Sequence, residues 1–326
     1  MAQGASSGDG RRAQHVPVRA LVILLAVQVA IGLGLVVWGT QGFPLPGDDR
    51  SGEGASASAA GLAPVATVDR FDGARAFRLL REQVRDYGPR PAGSDASRRL
   101  AERLRSLLPR GHFQAIPGWP RLRNVVGRIP GRLPAIVIGA HYDTEAVIPG
   151  HVGANDGAAG TAAVVELARD LARVDRGANP RELRFVLFDG EEEPHETDDF
   201  LRDGLRGSKA YVAREGDSVR ELVLLDYIAE RRGLRFPRER GSDQVMWDAL
   251  RAAAGRVGVG RLFSSQPSGQ ILDDHTPFTQ KGIPAIDLID FDYPQRDTVR
   301  DNLSAVSERS LDAVGEAVLE LIRTRP

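Results

Sequence analysis

Ala135-Ile-Val-Ile-Gly-Ala140 running into His141-Tyr142-Asp143, and Leu183-Arg-Phe-Val-Leu-Phe188 running into Asp189-Gly190-Glu191-Glu192-Glu193, decide the fold. Each is a short apolar run, rich in β-branched or aromatic residues, that ends abruptly in acidic and imidazole side chains. Such runs predict strands buried on both faces. Similar runs occupy residues 124–129, 222–225 and 285–289. Helical spacing lies between and around them, at 71–87 with Asp72 as cap and in a helix capped by Ser94 or Asp95 that carries Leu100, Leu104 and Leu107. Further helical stretches cover 160–173, 242–256 and 308–323. Apolar strands alternating with amphipathic helices predict an α/β domain of three layers, its sheet mostly parallel, twisted and covered on both faces.

In an open α/β sheet, ligands bind beyond the carboxyl ends of the strands. His141, Glu191, Glu192 and Asp226 all follow strand runs, so they are expected on one rim. Asp156 joins them from Gly153-Ala-Asn-Asp-Gly-Ala-Ala-Gly160, a small-residue turn entering a helix. Alone, Asp156 reads most simply as an N-cap, His141-x-Asp143 as a loop hydrogen bond and the three glutamates as a solvated face. Together, at successive strand ends, they predict a metal site, because crowded carboxylates losing hydration need a cation among them.

The 326 residues hold 43 Lys and Arg against 44 Asp and Glu, and a net charge of −1 gives no basic field for nucleic acid. There is no Cys, so disulfides, thiolate catalysis and Cys-ligated zinc are excluded, and a metal must be held by carboxylates and six His. Residues 20–38 form an uncharged run of 19 with one polar side chain, Gln28, long enough to span a bilayer. Arg11, Arg12 and Arg19 precede it and Asp48, Asp49 and Glu53 follow, so residues 1–19 are expected in the cytoplasm and the rest beyond the membrane. A cleaved signal peptide with a cut near residues 55–60 is the alternative, giving a secreted protein. Residues 39–66 read as a flexible Gly/Ala/Ser/Pro tether and 67–326 as a single catalytic domain.

The order of these motifs resembles the M28 family of zinc-dependent aminopeptidases and, more closely, its glutaminyl-cyclase branch. Gly88-Pro-Arg-Pro-Ala-Gly-Ser94, His141-x-Asp143, Asn155-Asp156, Glu191-Glu192 and Gly207-Ser208 follow the family's order from about Phe71 to the C-terminus. Phe188-Asp-Gly-Glu-Glu192, Leu224-Leu-Asp-Tyr227, Asp273-Asp-His-Thr-Pro-Phe278 and a long segment between Glu192 and Gly207 lean toward the cyclases. The resemblance implies Asp156 as the central, potentially bridging ligand, Glu192 beside it, and His141 and Asp226 as ligands of a second metal in two-metal peptidases. In single-zinc cyclases, the position of Asp226 instead joins a carboxylate network with Glu191 and Asp273. Glu191 matches the general acid/base, a role suited to a carboxyl beside Zn2+.

One departure stands out. Where both branches place a late His ligand in a Trp-His-Thr run, this chain reads Arg296-Asp297-Thr298; a second cyclase His position is Asp287. Asp297 is the candidate replacement ligand, and its harder donor favours Mn2+ or Mg2+ more than imidazole does. Loss of one metal position, or of activity, are the alternatives. Of the other histidines, His15 and His112 read as exposed or structural, His151 as a rim residue and His195 as a residue of the long insertion that could face substrate. His275, with Asp274 and Asp143, is expected behind the ligands or toward substrate. The expected activity is conversion of N-terminal Gln of peptides or proteins to pyroglutamate with loss of ammonia. A metallo-aminopeptidase cutting off N-terminal residues is the first alternative, and a non-catalytic ectodomain the second.

Overall fold

The computed structural model describes residues 61–325. Six strands form the central sheet in the order β1-β2-β4-β3-β5-β8: β1 His112–Ala115, β2 Arg123–Ile129, β3 Arg132–His141, β4 Arg181–Phe188, β5 Val219–Asp226 and β8 Ala285–Ile289. β4, β3, β5 and β8 run parallel, while β1 and β2 are antiparallel at one edge. A separate pair, β6 Phe236–Arg238 and β7 Phe263–Pro267, lies outside this sheet.

Alternation along the strands divides the core between two faces. Ile136, Ile138, Val223, Leu225, Ile286 and Leu288 pack with the large cluster that includes helices α1 Gly73–Glu82, α2 Asp95–Leu107, α3 Ala158–Leu171, α6 Gln244–Arg256 and α8 Glu308–Arg323. Val137, Val186, Leu222 and Leu224 face the other way, onto Tyr211 and Val212 of α5 (Arg206–Glu215) and Phe278 of α7 (Thr276–Gln280). The short α4 spans Phe200–Asp203. Both faces are therefore covered, which is why the strands read as apolar runs rather than as alternating patterns. Gly160 lets α3 lie directly on the sheet, since a Cβ there would sit 2.1 Å from the Leu225 carbonyl oxygen.

The caps follow the sequence. Asp72 accepts from the Arg75 amide at 2.8 Å, and Ser94 rather than Asp95 caps α2, accepting from Ser97 N at 3.1 Å. The first helix is α-helical only to Glu82 and widens into a π turn over Gln83–Tyr87. Three differences concern elements too short or too polar to carry a periodic signal: His112 opens strand β1 instead of sitting in a turn, and β6 and β7 were not expected. The tether ends earlier than its composition implies. Ala63 is buried in the large cluster, the Gly61 carbonyl accepts from Gly233 N at 3.1 Å, and the Leu62 carbonyl accepts from Arg261 at 3.2 Å. Residues 61–66 therefore belong to the folded domain, held by backbone contacts that composition does not encode. Residues 1–60, with the expected cytoplasmic segment, membrane span and most of the tether, lie outside the described residues. Among the described residues, no helix is long and apolar enough to cross a membrane.

Candidate metal centre

The carboxyl ends of β3 and β5 deliver His141 and Asp226, and the loop after β4 delivers Glu191 and Glu192. His141 Nε2 lies 3.1 Å from Asp156 Oδ1 and 3.5 Å from Asp226 Oδ1. Asp226 Oδ1 also accepts from Tyr227 N at 2.8 Å. Asp143 anchors the turn after β4: its two carboxylate oxygens accept from Glu191 N and Glu192 N, each at 3.3 Å.

Asp156 is not the cap of α3; that place is taken by Gly157, with no side-chain capping bond. Gly157 has φ +79°, and a Cβ there would meet the Asp143 carbonyl oxygen at 2.7 Å, so the turn closes tightly against the β3 exit. Its geometry is held from outside. Asp301 accepts from Asn155 N at 2.9 and 3.1 Å and from Asp156 N at 3.0 Å. The buried Arg90 guanidinium donates to the carbonyls of Tyr142, Val152 and Gly153 at 2.9, 2.6 and 3.0 Å. With its backbone fixed in this way, the Asp156 carboxylate points into the site. Its Oδ2 accepts from the Tyr227 hydroxyl at 2.9 Å and lies 3.4 Å from His151 Nε2.

Above these groups opens a cavity of about 270 Å³ lined by Asp156, Glu191, Glu192, Asp226, Asp273 and Asp297, with Phe200, Ile271, Leu272, Ile289 and Phe291 as apolar walls. Asp297 is half-exposed at its mouth. Its Oδ2 contacts Arg296 at 2.5 Å, and its Oδ1 accepts from the Tyr227 hydroxyl at 3.3 Å, one hydroxyl away from Asp156. It belongs to none of the compact ligand groups found among the described residues, which near the cavity are His141 with Glu191 and Glu192, and His141 with Asp156 and Asp226. Asp274 and His275 are buried behind the wall formed by Asp273 and do not line the cavity. His195 lines a different, open depression with Glu196, Asp198 and Arg202.

The electrostatics are those of a buried, predominantly anionic cluster. Burial, reinforced by the neighbouring carboxylates, pushes Glu191 and Glu192 well above the usual carboxylate range. Burial also lifts Asp226 to about 7, although His141 pulls the other way. Burial would raise Asp156 as well, but His141 and His151 outweigh it and hold that carboxyl well below its ordinary value. For His141, burial lowers the pKa and contact with Asp143, Asp156 and Asp226 overrides it, raising the pKa well above the usual imidazole value. The two imidazoles and the Arg90 guanidinium are outnumbered by the acids around them, Asp143, Asp156, Glu191, Glu192, Asp226 and Asp273.

The donor set fits a divalent ion. Ligands at about 2.0–2.2 Å from a tetrahedral centre are roughly 3.3–3.6 Å apart, close to the separations His141 Nε2 makes with Asp156 and Asp226. His141 Nδ1, 3.7 Å from Asp143 Oδ1, and His151 Nε2, 3.4 Å from Asp156 Oδ2, are buried and face carboxylates without closing a hydrogen bond. His151 was expected at the rim, and the structure sets it against Asp156; Tyr227, Arg90 and Asp301 were not singled out from the sequence as shaping the site. Tyr227 was visible only as the neighbour of Asp226, Arg90 only as part of a Gly-Pro-rich turn, and the reach of Asp301 to the Asp156 turn spans 145 residues.

A mostly parallel α/β sheet with imidazole and carboxylates gathered at its carboxyl rim defines a metal-dependent class of protein. The chain belongs to peptidase family M28: the family model matches residues 124–322. Curated relatives include aminopeptidase YwaD of Bacillus subtilis, 27% identical over 214 residues covering 60% of this chain and 43% of that protein. Another is the mouse glutaminyl-peptide cyclotransferase-like protein, 28% identical over 251 residues covering 63% of each. The match thus spans under two thirds of these relatives' length. Among solved structures, the glutaminyl cyclase of an Acidobacteriales bacterium aligns with TM-score 0.66 and 27% identity, over 81% of this chain and 98% of that one. A leucine aminopeptidase precursor from Bacteroides thetaiotaomicron aligns with TM-score 0.68 and 25% identity, over 80% and 100%.

Proposed function

We propose that this protein is a metal-dependent enzyme of peptide N-termini that cyclises N-terminal glutamine to pyroglutamate, releasing ammonia. The observation that carries this reading is that Glu191, Asp226 and Asp273 line one small, partly apolar cavity together with Asp156 and Glu192, beside His141. A cavity of about 270 Å³ suits one terminal residue better than an extended chain. Its excess of carboxylates attracts a free α-amine.

His141, Asp156, Asp226 and Glu192 would hold the metal. When bound, a divalent ion such as Zn2+ polarises a carbonyl oxygen as a Lewis acid. Glu191 takes a proton from the α-amine as its nitrogen bonds to the side-chain amide carbon, then delivers that proton to the departing amide nitrogen, which leaves as ammonia. Burial suits Glu191 to this exchange, because raising the carboxyl above its ordinary range makes its ionised form a stronger proton acceptor. Phe200, Ile271 and Phe291 exclude water that would otherwise compete for the acyl carbon.

A second reading, hydrolytic removal of the N-terminal residue, is favoured by one observation: His141 takes part in two compact donor groups, one with Asp156 and Asp226 and one with Glu191 and Glu192, which would hold up to two ions able to activate a water. Asp297 at the mouth is the proposed additional ligand, with Mn2+ or Mg2+ as alternatives to Zn2+. We also propose that residues 20–38 tether this domain beyond the cytoplasmic membrane, which retention in the membrane fraction after alkaline extraction would support and release would refute. Incubating the protein with a Gln-initiated peptide and with amino-acyl anilides, under Zn2+ and under Mn2+, tests the activity. Ammonia and a cyclised product support the cyclase, free amino acid supports the peptidase, and neither under any metal refutes both.

A further inference from the structure

Behind the cavity wall lies a second concentration of buried charge. Asp287 sits in the middle of β8, paired with Leu224, and its amide is bonded to the Ser242 hydroxyl. Its side chain is wholly buried, and neither carboxylate oxygen has a hydrogen-bond partner. His275, just before α7, is equally buried; its Nδ1 lies 3.5 Å from Asp287 Oδ2 and likewise lacks a hydrogen bond. One oxygen of Asp273 is also unpartnered. Asp273, His275 and Asp287 each present a donor atom, all within 4.8 Å of one another.

An unpaired carboxylate buried in a β-strand is strongly unfavourable unless it is neutralised. The imidazole alone does not achieve this, because even when protonated it sets one charge against several acids: Nδ1 faces Asp287, Nε2 lies 3.3 Å from Glu239 Oε1, and Asp273 is in the same group. That arrangement is informative. A histidine whose Nε2–H is oriented by a carboxylate presents Nδ1 as a lone pair, the common second-layer pattern behind metal-bound imidazole. Two carboxylates and one neutral imidazole around a dication form a neutral unit, and an oxygen-rich set with one nitrogen suits Zn2+ or Mn2+.

We propose that Asp273, His275 and Asp287 bind a divalent cation at a buried site separate from the one at His141 and Asp156. This ion ties β8 to the segment leading into α7 and fixes Asp273, which forms part of the cavity wall. The inference does not depend on which N-terminal reaction the cavity performs.

The test is metal content. Full-length protein in detergent is stripped with chelator, re-equilibrated with Zn2+ or Mn2+ and assayed by inductively coupled plasma mass spectrometry as wild type, Asp287→Asn, Asp156→Asn and the double variant. The expected result is that Asp287→Asn binds one ion fewer than wild type, that Asp156→Asn retains that ion, and that the double variant binds fewer than either. Equal metal content in wild type and folded Asp287→Asn overturns the proposal. Should Asp287→Asn fail to fold, anomalous scattering from Zn2+-loaded wild-type crystals decides. A peak in contact with Asp287 and His275 Nδ1 supports the site, and anomalous density at Asp156 alone overturns it.

Discussion

Replacing Glu191 with glutamine tests the proposed chemistry most directly. The change keeps the side chain's shape and removes only its ability to accept and return a proton. His141, Asp156, Asp226 and Glu192 are untouched, so metal content is expected to match wild type. Loss of a positioned general base costs about 10²–10⁴ in rate, equivalent to roughly 3–5.5 kcal/mol of barrier at about 1.4 kcal/mol per decade. Stability is expected to hold or rise, because the wild-type carboxyl is disfavoured by burial and by Asp273, Asp274 and Asp143 around it, and a neutral amide removes that repulsion. The acid limb of the pH–rate profile is a second readout. Activity of the wild type should fall as pH drops through the raised pKa of Glu191, and whatever residual activity the variant keeps should lose that limb. The assay is kcat on a Gln-initiated peptide and on amino-acyl anilides, with bound metal measured on the same preparations. Turnover within about threefold of wild type, far inside the expected loss, with metal retained would refute the role of Glu191.

Other consequences follow from the same geometry. Asp297→His removes a carboxylate tied to Arg296 and puts an imidazole one hydroxyl from Asp156, at a positive φ that His tolerates. Tighter Zn2+ binding or higher activity is expected, and unchanged affinity by competition with a chelating dye would mean that position 297 does not face the ion. Metal-free protein should melt at a lower temperature at about pH 7.5 than at about pH 5, because burial raises Asp226 and Asp189 to about 7 and Asp301 to about 6. Across that window the unfolded chain has released these protons while the folded chain holds them, so stability falls as pH rises. Zn2+ should restore the loss at the higher pH, and calorimetry showing no metal-dependent narrowing of the gap would contradict the coupling. Gly160→Ala forces a methyl onto the Leu225 carbonyl oxygen, so a loss of at least about 1–3 kcal/mol is expected. A thermal melt indistinguishable from wild type would show that α3 can move off the sheet without cost.

Much of the site was legible because strand ends are marked in the chain itself. His141 and Asp226 close apolar runs, Glu191 and Glu192 follow another, and the parallel sheet brings all three exits to one rim. Asp156 was legible only by association, since a small-residue turn before a helix is equally the signature of a cap. What decided against the cap was the hold of Asp301 and Arg90 on the turn's backbone.

By itself, the sequence determined the order of buried strands and covering helices, because burial on two faces leaves an unbroken apolar run that a single chain displays. It also determined that a Cys-free set of carboxylates and imidazoles lies at the strand exits. Only the tertiary structure decided which of those groups meet. His151 reaches Asp156, Asp297 stands off at the mouth beside Arg296, and Asp287 faces His275 behind the wall. Such pairings depend on side-chain direction across elements far apart in the chain. The energy that makes them matter, the cost of burying unneutralised charge, is absent until the fold has excluded water.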